Sequence, residues 1–430
     1  MLSLPGDLQL KIFQRATHVP NLLDIVPDPN DAFLPKCPSL SLPILIKNFT
    51  QSLPTRYALP LVCRAFNDAS TPLLYQCLLL NTDTIPFIAA SIKTYNLSLV
   101  CHLLIDLPTT FSICDSPEFL AIFTALPAGV QILSIQAQFA AHLRPPPLSL
   151  LQASVTHSAI MDVMARALGP TLRKLVMDSN AIELFPEPTD LDVLARSLVN
   201  LEAIVLRVYP MHWELRDTLR IRGMQLPAAL PRLRYLYLDH TRVPFPATAM
   251  PTHVHVSLNE FVSSAISPSV THLSLSVHEG AAFARFSAMG ASIPGLVSLT
   301  LSGTHDALTR LLVACPLPPI AHLYFSAFYY HPGDEAAYVR GLQALVDAIG
   351  GLRTKGGAGL VEVRFSQDTI VENLRTWVGK GRVSMRALVG CGFAVVDREG
   401  QALVNVVPKG TTSGRQGRRA VVLRVKPKSR

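Results

Sequence analysis

Charge is scarce in this chain. Asp, Glu, Lys and Arg make up 16% of its 430 residues while apolar residues reach 49%, against roughly a quarter charged in an ordinary soluble domain. That leaves ample material for a buried core, and the length allows two or three domains or one elongated array. Long apolar runs are missing too. None reaches the ~18 residues that mark a membrane-spanning helix, and the best stretch, Leu97 to Leu107, is interrupted by Ser98, His102 and Asp106. The seven cysteines are odd in number and have no close pairing, which argues against a disulfide framework and for a reducing compartment, cytoplasmic and/or nuclear. The first residues lack the basic start and small-residue cleavage site of a secretory signal, so the sequons at Asn48 and Asn96 are read as without meaning.

Recognisable catalytic and metal patterns are also lacking. The sequence holds no Cys-x-x-Cys, His-Glu-x-x-His or Gly-x-Ser-x-Gly. Lys355, inside the glycine cluster Gly350-Gly351 to Gly356-Gly357, is followed by no P-loop spacing. His253 and His255 alternate with Val254 and Val256 and so share one face of an extended segment, but no third ligand can be named. His212, Glu214 and Asp217 beside Trp213 read as a solvated loop. Cys63 lies in an apolar stretch read as helical, where a thiol is a small inert hydrophobe rather than a nucleophile. The expectation is a protein that is not an enzyme, with no cofactor, no metal, no catalytic residue and no membrane partner.

What the chain does have begins at its start. Leu4-Pro5-x-x-Leu8 runs into Ile12-Phe13, and Leu61-Val62-Cys63-Arg64-Ala65-Phe66 is followed by Pro72-Leu73-Leu74-Tyr75. Both read as short helices. On the first, Leu8, Leu10, Ile12, Phe13 and Ala16 spread over more than half the circumference, wider than the stripe of an ordinary surface helix. A helix of roughly 12 residues is marginal without packing partners, so one side is expected on its own domain and the other on another protein. Between the two lies an insert, residues 17–53, whose Pro20, Pro27, Pro29, Pro35, Pro38 and Pro43, with Pro54 at its end, predict a loop with at most one short helix. Pro60 suits the first residue of a helix, where its missing N–H costs nothing.

These signatures, in this order, resemble the F-box, in the split form common in mushroom-type fungi. The resemblance covers roughly the first 80 residues. It departs from the family in the long insert and in Phe66, where a Trp is common. It implies that Leu4, Pro5, Leu8, Ile12, Phe13, Leu61, Val62, Cys63 and Phe66 form the adaptor-binding or core set of the unit, without separating the two roles.

From residue 74 on, one pattern recurs: apolar-x-x-apolar-x-apolar. It appears as Leu74/Cys77/Leu79, Val100/Leu103/Ile105, Val130/Leu133/Ile135, Leu172/Leu175/Met177 and Leu201/Ile204/Leu206, then as Leu233/Leu236/Leu238, Val270/Leu273/Leu275, Leu296/Leu299/Leu301, Ile320/Leu323/Phe325 and Leu360/Val363/Phe365. The last two positions alternate like a strand with one buried face. Between the strands lie segments of helical spacing: Ile160/Val163/Met164/Leu168, Leu191/Leu194/Leu198, Leu308/Leu311/Leu312, Leu342/Leu345/Val346 and Ile370/Leu374/Trp377. Ser116-Pro117-Glu118 and Asp368-Thr369 offer helix starts. A strand and a helix cannot bury both faces alone, whereas stacked units can. The fold expected is therefore an α/β solenoid: a short N-terminal helical F-box-like unit followed by an irregular array of strands backed by helices.

The array resembles a degenerate leucine-rich repeat solenoid. It lacks the Asn or Cys that normally follows the strand; Asp178, Arg207, Asp239, Ser276, Ser302, Ser326 and Ser366 stand there instead. In such a solenoid the alternate strand residues line the concave face, which makes Tyr235, Tyr237, His322, Tyr324, Arg207 and Arg364 the expected target-binding set. Exposed tyrosines mark binding hot spots, but a strand tyrosine also simply suits a half-buried surface. After Gly381, two apolar runs flank Asp397-Arg398-Glu399-Gly400 and predict a hairpin that closes the array. The segments are thus 1–80 for the F-box-like unit, 81–380 for the array, 381–408 for the cap and 409–430 for a tail. That tail holds Lys409, Arg415, Arg418, Arg419, Arg424, Lys426, Lys428 and Arg430 with no acid, the whole formal net charge of +8. It reads as solvated and disordered, with a nuclear-import signal or an anionic partner as further readings.

The resemblance implies a substrate-recognition subunit of an SCF-type ubiquitin ligase, partnered by the adaptor subunit, through it by a cullin, and by an unknown protein target. Two alternatives remain: a repeat scaffold whose helices only cap the array, and a nucleic-acid-associated protein acting through its tail.

Overall fold

The computed structural model describes residues 5–19, 22–25, 42–91, 96–108, 111, 113, 116–127, 129–138, 154–178, 181, 196–207, 230–238, 251–257, 269–277, 286, 293–328, 335–352, 359–365, 368–389, 391–397 and 400–403. It divides into two compact units, 1–271 and 272–430. Leu4, the loop of His212, Glu214 and Asp217, the glycine-flanked Lys355 and the basic tail lie outside the described residues. Among those described, no helix is long and apolar enough to cross a membrane.

The first unit opens with α1 (Gly6–Ala16), α2 (Leu42–Ala58) and α3 (Arg64–Tyr75). Seven strands follow: β1 (Cys77–Leu80), β2 (His102–Pro108), β3 (Ile132–Gln138), β4 (Lys174–Asp178), β5 (Ala203–Arg207), β6 (Tyr235–Leu238) and β7 (His253–Ser257). Each pairs in parallel with the next in chain order. The connections include α4 (Thr84–Ala90), α5 (Pro117–Ala125) and α6 (Ser154–Leu168), which pack side by side in sequence. Parallel strands require such crossovers.

The pairing register turns the apolar signature into continuous rows. Leu103, Leu133, Leu175, Ile204, Leu236 and Val254 stand opposite one another across β2 to β7, all buried. Ile105, Ile135, Met177 and Leu206 form the next row. Stacking one aliphatic row per strand buries about 1.5–3 kcal/mol per large side chain, which makes the repeat and not the single unit the stable object.

The second unit repeats the scheme with β8 (His272–Val277), β9 (Ser298–Gly303), β10 (His322–Phe328), β11 (Glu362–Phe365) and β12 (Ala394–Val396), again parallel in chain order. Its rows are Leu273, Leu299, Leu323, Val363 and Val395, then Leu275, Leu301, Phe325 and Phe365. The rings of Phe325 and Phe365 stack with centroids 5.5 Å apart. The helices here are α7 (His305–Ala314), α8 (Glu335–Gly350) and α9 (Asp368–Gly379). α9 ends where Gly381, at φ +68°, takes the left-handed conformation that terminates helices.

Cap chemistry sets the helix starts. The Ser116 hydroxyl accepts the Phe119 N–H at 3.3 Å to open α5, and Thr304 does the same for Ala307 at 3.2 Å to open α7. The ladder position after the strand is also used. Asp178 is buried and its Oδ1 accepts the Ala181 N–H at 2.7 Å, while the hydroxyls of Ser276 and Ser302 lie 3.2 Å apart.

Three expectations need correction. In the first repeat the row positions are Leu78 and Leu80, not Cys77 and Leu79, because Leu78 pairs with Leu103 and Leu80 with Ile105. The uninterrupted apolar run Cys77–Leu80 carries no period to fix its register, and a slip of one residue reverses the faces. The insert is shorter than read: α2 runs for 17 residues from Leu42, with Pro43 in its first turn, where the missing N–H is harmless, and Pro54 carried inside. Cys63 is not in a helix. Pro60 starts only a short 3₁₀ turn, Leu59–Leu61, and Cys63 stands extended and exposed at the N-cap of α3. At the expected hairpin, Val396 and Ala402 form an antiparallel bridge and the Leu403 N–H donates to the Val395 carbonyl at 2.8 Å; β12 also pairs in parallel with β11, and residues 404–408 lie outside the described residues.

Candidate protein-docking surfaces

The N-terminal helices are held together by two devices. Phe13 is buried, and its ring meets that of Phe66 edge-on at 4.7 Å, joining α1 to the first turn of α3. Arg56, near the end of α2, is 4% exposed. Its guanidinium donates to the Leu73 carbonyl at 2.5 Å, the Thr17 carbonyl at 2.7 Å and the Ser52 hydroxyl at 3.0 Å. One cation thus ties the ends of α1 and α3 to α2. Desolvation lowers its pKa, yet each of its three nitrogens donates to an oxygen, which offsets the cost of burying the guanidinium. No sequence pattern singled out Arg56; the signal was available only as a lone cation in an apolar stretch.

This frame separates buried from exposed side chains in the predicted set. Phe13 is core, and Phe66 is half-buried against it. Leu8 and Ile12, one turn apart on α1, are 47% and 50% exposed. Leu61 and Val62, on the turn before α3, are 84% and 63% exposed. Pro5 is exposed at the N-cap of α1, where its carbonyl accepts the Leu8 N–H at 3.0 Å. Leu8, Leu10 and Ile12 on α1 and Leu61 and Val62 on the turn before α3 are thus large aliphatic side chains left in water.

The sheet face opposite the buried rows is not an open concave surface in the first unit. Val19, Leu22, Leu42, Leu45 and Phe49 form one buried cluster with Cys77, Leu104, Val176, Ala203, Val205, Tyr235 and Tyr237. Tyr235 and Tyr237, expected as exposed target-binding residues, are 3% and 8% exposed. The chain's own N-terminal segment covers them, a tertiary packing that no strand period can report. The Arg207 side chain lies outside the described residues, although its backbone closes β5.

Two polar contacts fasten the cover. His102 on β2 is fully buried, with Nδ1 2.5 Å from the Leu22 carbonyl and Nε2 2.9 Å from the Ser134 hydroxyl. A carbonyl can only accept, so Nδ1 carries the proton and Nε2 accepts from Ser134. Burial first, then the nearby Lys174 charge, pushes the His102 pKa down to about 3, and the ring is neutral. Lys174 on β4 donates to the Asp24 carbonyl at 2.6 Å.

In the second unit the corresponding face is polar: Ser274, Ser276, Ser298, Thr300 and Ser302 are buried, and His272, His322, Glu362 and Arg364 half-buried. Tyr324 is fully buried and lies flat against His322, centroids 6.1 Å apart, so it too departs from the expected exposed aromatic. Arg364 is held by Glu362 at 2.9 Å. Among the described residues no group of His, Cys, Asp and Glu could hold a metal ion.

No protein-family model and no characterised protein sequence matches the chain. Among solved structures, it is similar to one titled as the yeast Rad7 and Elc1 complex, with a TM-score of 0.33 and 13% identity over 76% of each chain. It is also similar to a Bacteroides fragilis protein, with a TM-score of 0.30 and 10% identity over 78% of this chain and 77% of that one. Likenesses this low carry no argument for fold or function, which rest on the geometry above.

Proposed function

We propose that this chain is a substrate-recognition subunit of an SCF-type ubiquitin ligase. In this reading it binds the adaptor, and through it a cullin, by the N-terminal helices, and presents a protein target on the strand array. It carries no catalysis of its own and works in the cytoplasm or nucleus. The observation that supports it is the pairing of a locked frame, Phe13, Phe66 and Arg56, with an unfinished apolar surface, Leu8, Ile12, Leu61 and Val62. Hiding those side chains gains up to about 1.5–3 kcal/mol each, a gain that a bound adaptor would supply. The test is co-purification of the full chain with the adaptor subunit. Wild type is expected to retain it and Ile12→Asp to lose it; equal retention defeats the proposal.

A second reading is a repeat scaffold without ligase association, its helices serving as a cap. It is favoured by the packing of Leu42, Leu45 and Phe49 of α2 onto the sheet face. The same co-purification separates the two, since a cap leaves the adaptor unbound in every variant.

A further inference from the structure

The C-terminal ends of β2, β3 and β4 carry a polar row on the sheet face opposite the aliphatic rows. Leu104, Ser134 and Val176 stand opposite one another on that face and are buried. Two residues further along a strand the side chain returns to the same face, so Asp106, Gln136 and Asp178 form the next row, with Asp106 directly opposite Gln136. Asp178 is occupied by the backbone, its Oδ1 accepting the Ala181 N–H at 2.7 Å. The other two are not so settled. Asp106 is half-buried, and among the described residues no cation pairs with it. Its carboxylate accepts instead from the amide Nε2 of the exposed Gln138, at 2.9 Å and 2.8 Å to its two oxygens. Burial holds the Asp106 carboxyl above its usual pKa even though that hydrogen bond acts the other way. Gln136 is 6% exposed, and its buried Oε1 has no hydrogen-bond partner among the described residues. An acceptor left unmet in this way costs free energy that an apolar side chain of similar shape avoids. A residue kept here for packing alone has no reason to be glutamine.

We propose that Asp106 and Gln136 form a recognition site for a lysine side chain of the protein target. Adjacent strands lie about 4.8 Å apart, so one ammonium, with three donors, reaches the Asp106 carboxylate and the Gln136 Oε1 together. It enters from the exposed side and takes the place of the Gln138 amide, which turns back to water. A planar guanidinium favours both oxygens of one carboxylate and would leave Gln136 unmet. A calcium ion takes six to eight oxygens, more than this pair offers. The site deepens the target-binding half of the proposed function, and its test involves no adaptor, so the two fail separately.

The probe is fluorescent octalysine titrated into the full chain at low salt, with the side-chain-acetylated peptide and n-butylamine as the other arms. Wild type is expected to bind octalysine and not its acetylated form. Asp106→Asn is expected to bind it at least tenfold more weakly, and Gln136→Leu at least threefold. Gln136→Leu leaves the net charge unchanged, so its loss separates this site from diffuse attraction. A wild type that does not bind overturns the inference, as does either variant binding as wild type does. Competition by n-butylamine at the peptide's own concentration assigns the site to a free amine and also overturns it. Urea unfolding gives a readout independent of the peptide. Gln136→Leu removes an unmet acceptor and is expected to unfold at a urea midpoint no lower than wild type; a lower midpoint shows a glutamine bonded into the core and overturns the inference.

Discussion

The adjacent residues Ile12 and Phe13 give the sharpest test of how the N-terminal helices work. Phe13 is 3% exposed and its ring lies 4.7 Å from that of Phe66. Phe13→Ala removes a buried ring and leaves a cavity between α1 and α3, a change that costs about 3–5 kcal/mol. Ile12 is half in water already, so Ile12→Asp is expected to change stability by no more than about 0.5 kcal/mol. On the adaptor the order reverses. Ile12→Asp forfeits roughly 1–2 kcal/mol of remaining burial and adds the cost of desolvating a carboxylate. The expected weakening is at least tenfold, since about 1.4 kcal/mol is a factor of ten. Urea unfolding of the full chain followed by calorimetric titration with the adaptor reads both quantities. The reasoning is refuted if Ile12→Asp destabilises as much as Phe13→Ala, or if it unfolds normally and binds the adaptor at the wild-type affinity.

Three further outcomes are expected. His102, with its pKa near 3 in the folded chain and about 6.5 unfolded, stays neutral while the unfolded chain takes up a proton between those values. Its contribution is therefore complete above pH ~6.5 and falls as pH drops toward 3. From pH 8 down to pH 5 the loss is about 2 kcal/mol, and His102→Asn should lack it; the same pH slope in both proteins would sink the assignment. Arg56→Met removes the donors to the Thr17 and Leu73 carbonyls and is expected to cost roughly 3–5 kcal/mol, read as a lower urea midpoint. A cost below about 1 kcal/mol would show that Arg56 does not join the helices. Leu323→Ala in the middle of the second unit's row, between Leu299 and Val363, should cost about 2–5 kcal/mol. A variant as stable as wild type would mean that the rows are not the core.

The strand array was legible because its signal is periodic and local. Ten repeats of the signature correspond to ten strands, β1 to β6 and β8 to β11, and the cap residues Ser116 and Thr304 act on their own next turns. Two strands escaped the pattern for identifiable reasons. β7 has Pro251 at the leading apolar position, and β12 has the buried Asp397 at the closing one, where it accepts from Arg375 at 3.0 Å. The split between buried and exposed residues at the N-terminal helices was legible only as a set. Helical spacing shows that Leu8, Ile12 and Phe13 cannot all be hidden on one narrow stripe, but not which of them finds a partner.

The sequence by itself determined the apolar rows, the chain-order parallel pairing that they force, and the excess of apolar surface on α1. Those are consequences of a few residues' spacing, and the physics that reads them acts within one unit or between successive ones. Only the tertiary structure decided that Phe13 is core while Ile12 faces water, that Arg56 gathers three helix ends, and that Val19, Leu22 and α2 lie over Tyr235 and Tyr237. Those contacts join residues far apart in the chain, and period-two alternation gives a strand residue's face without saying what the rest of the chain lays across it.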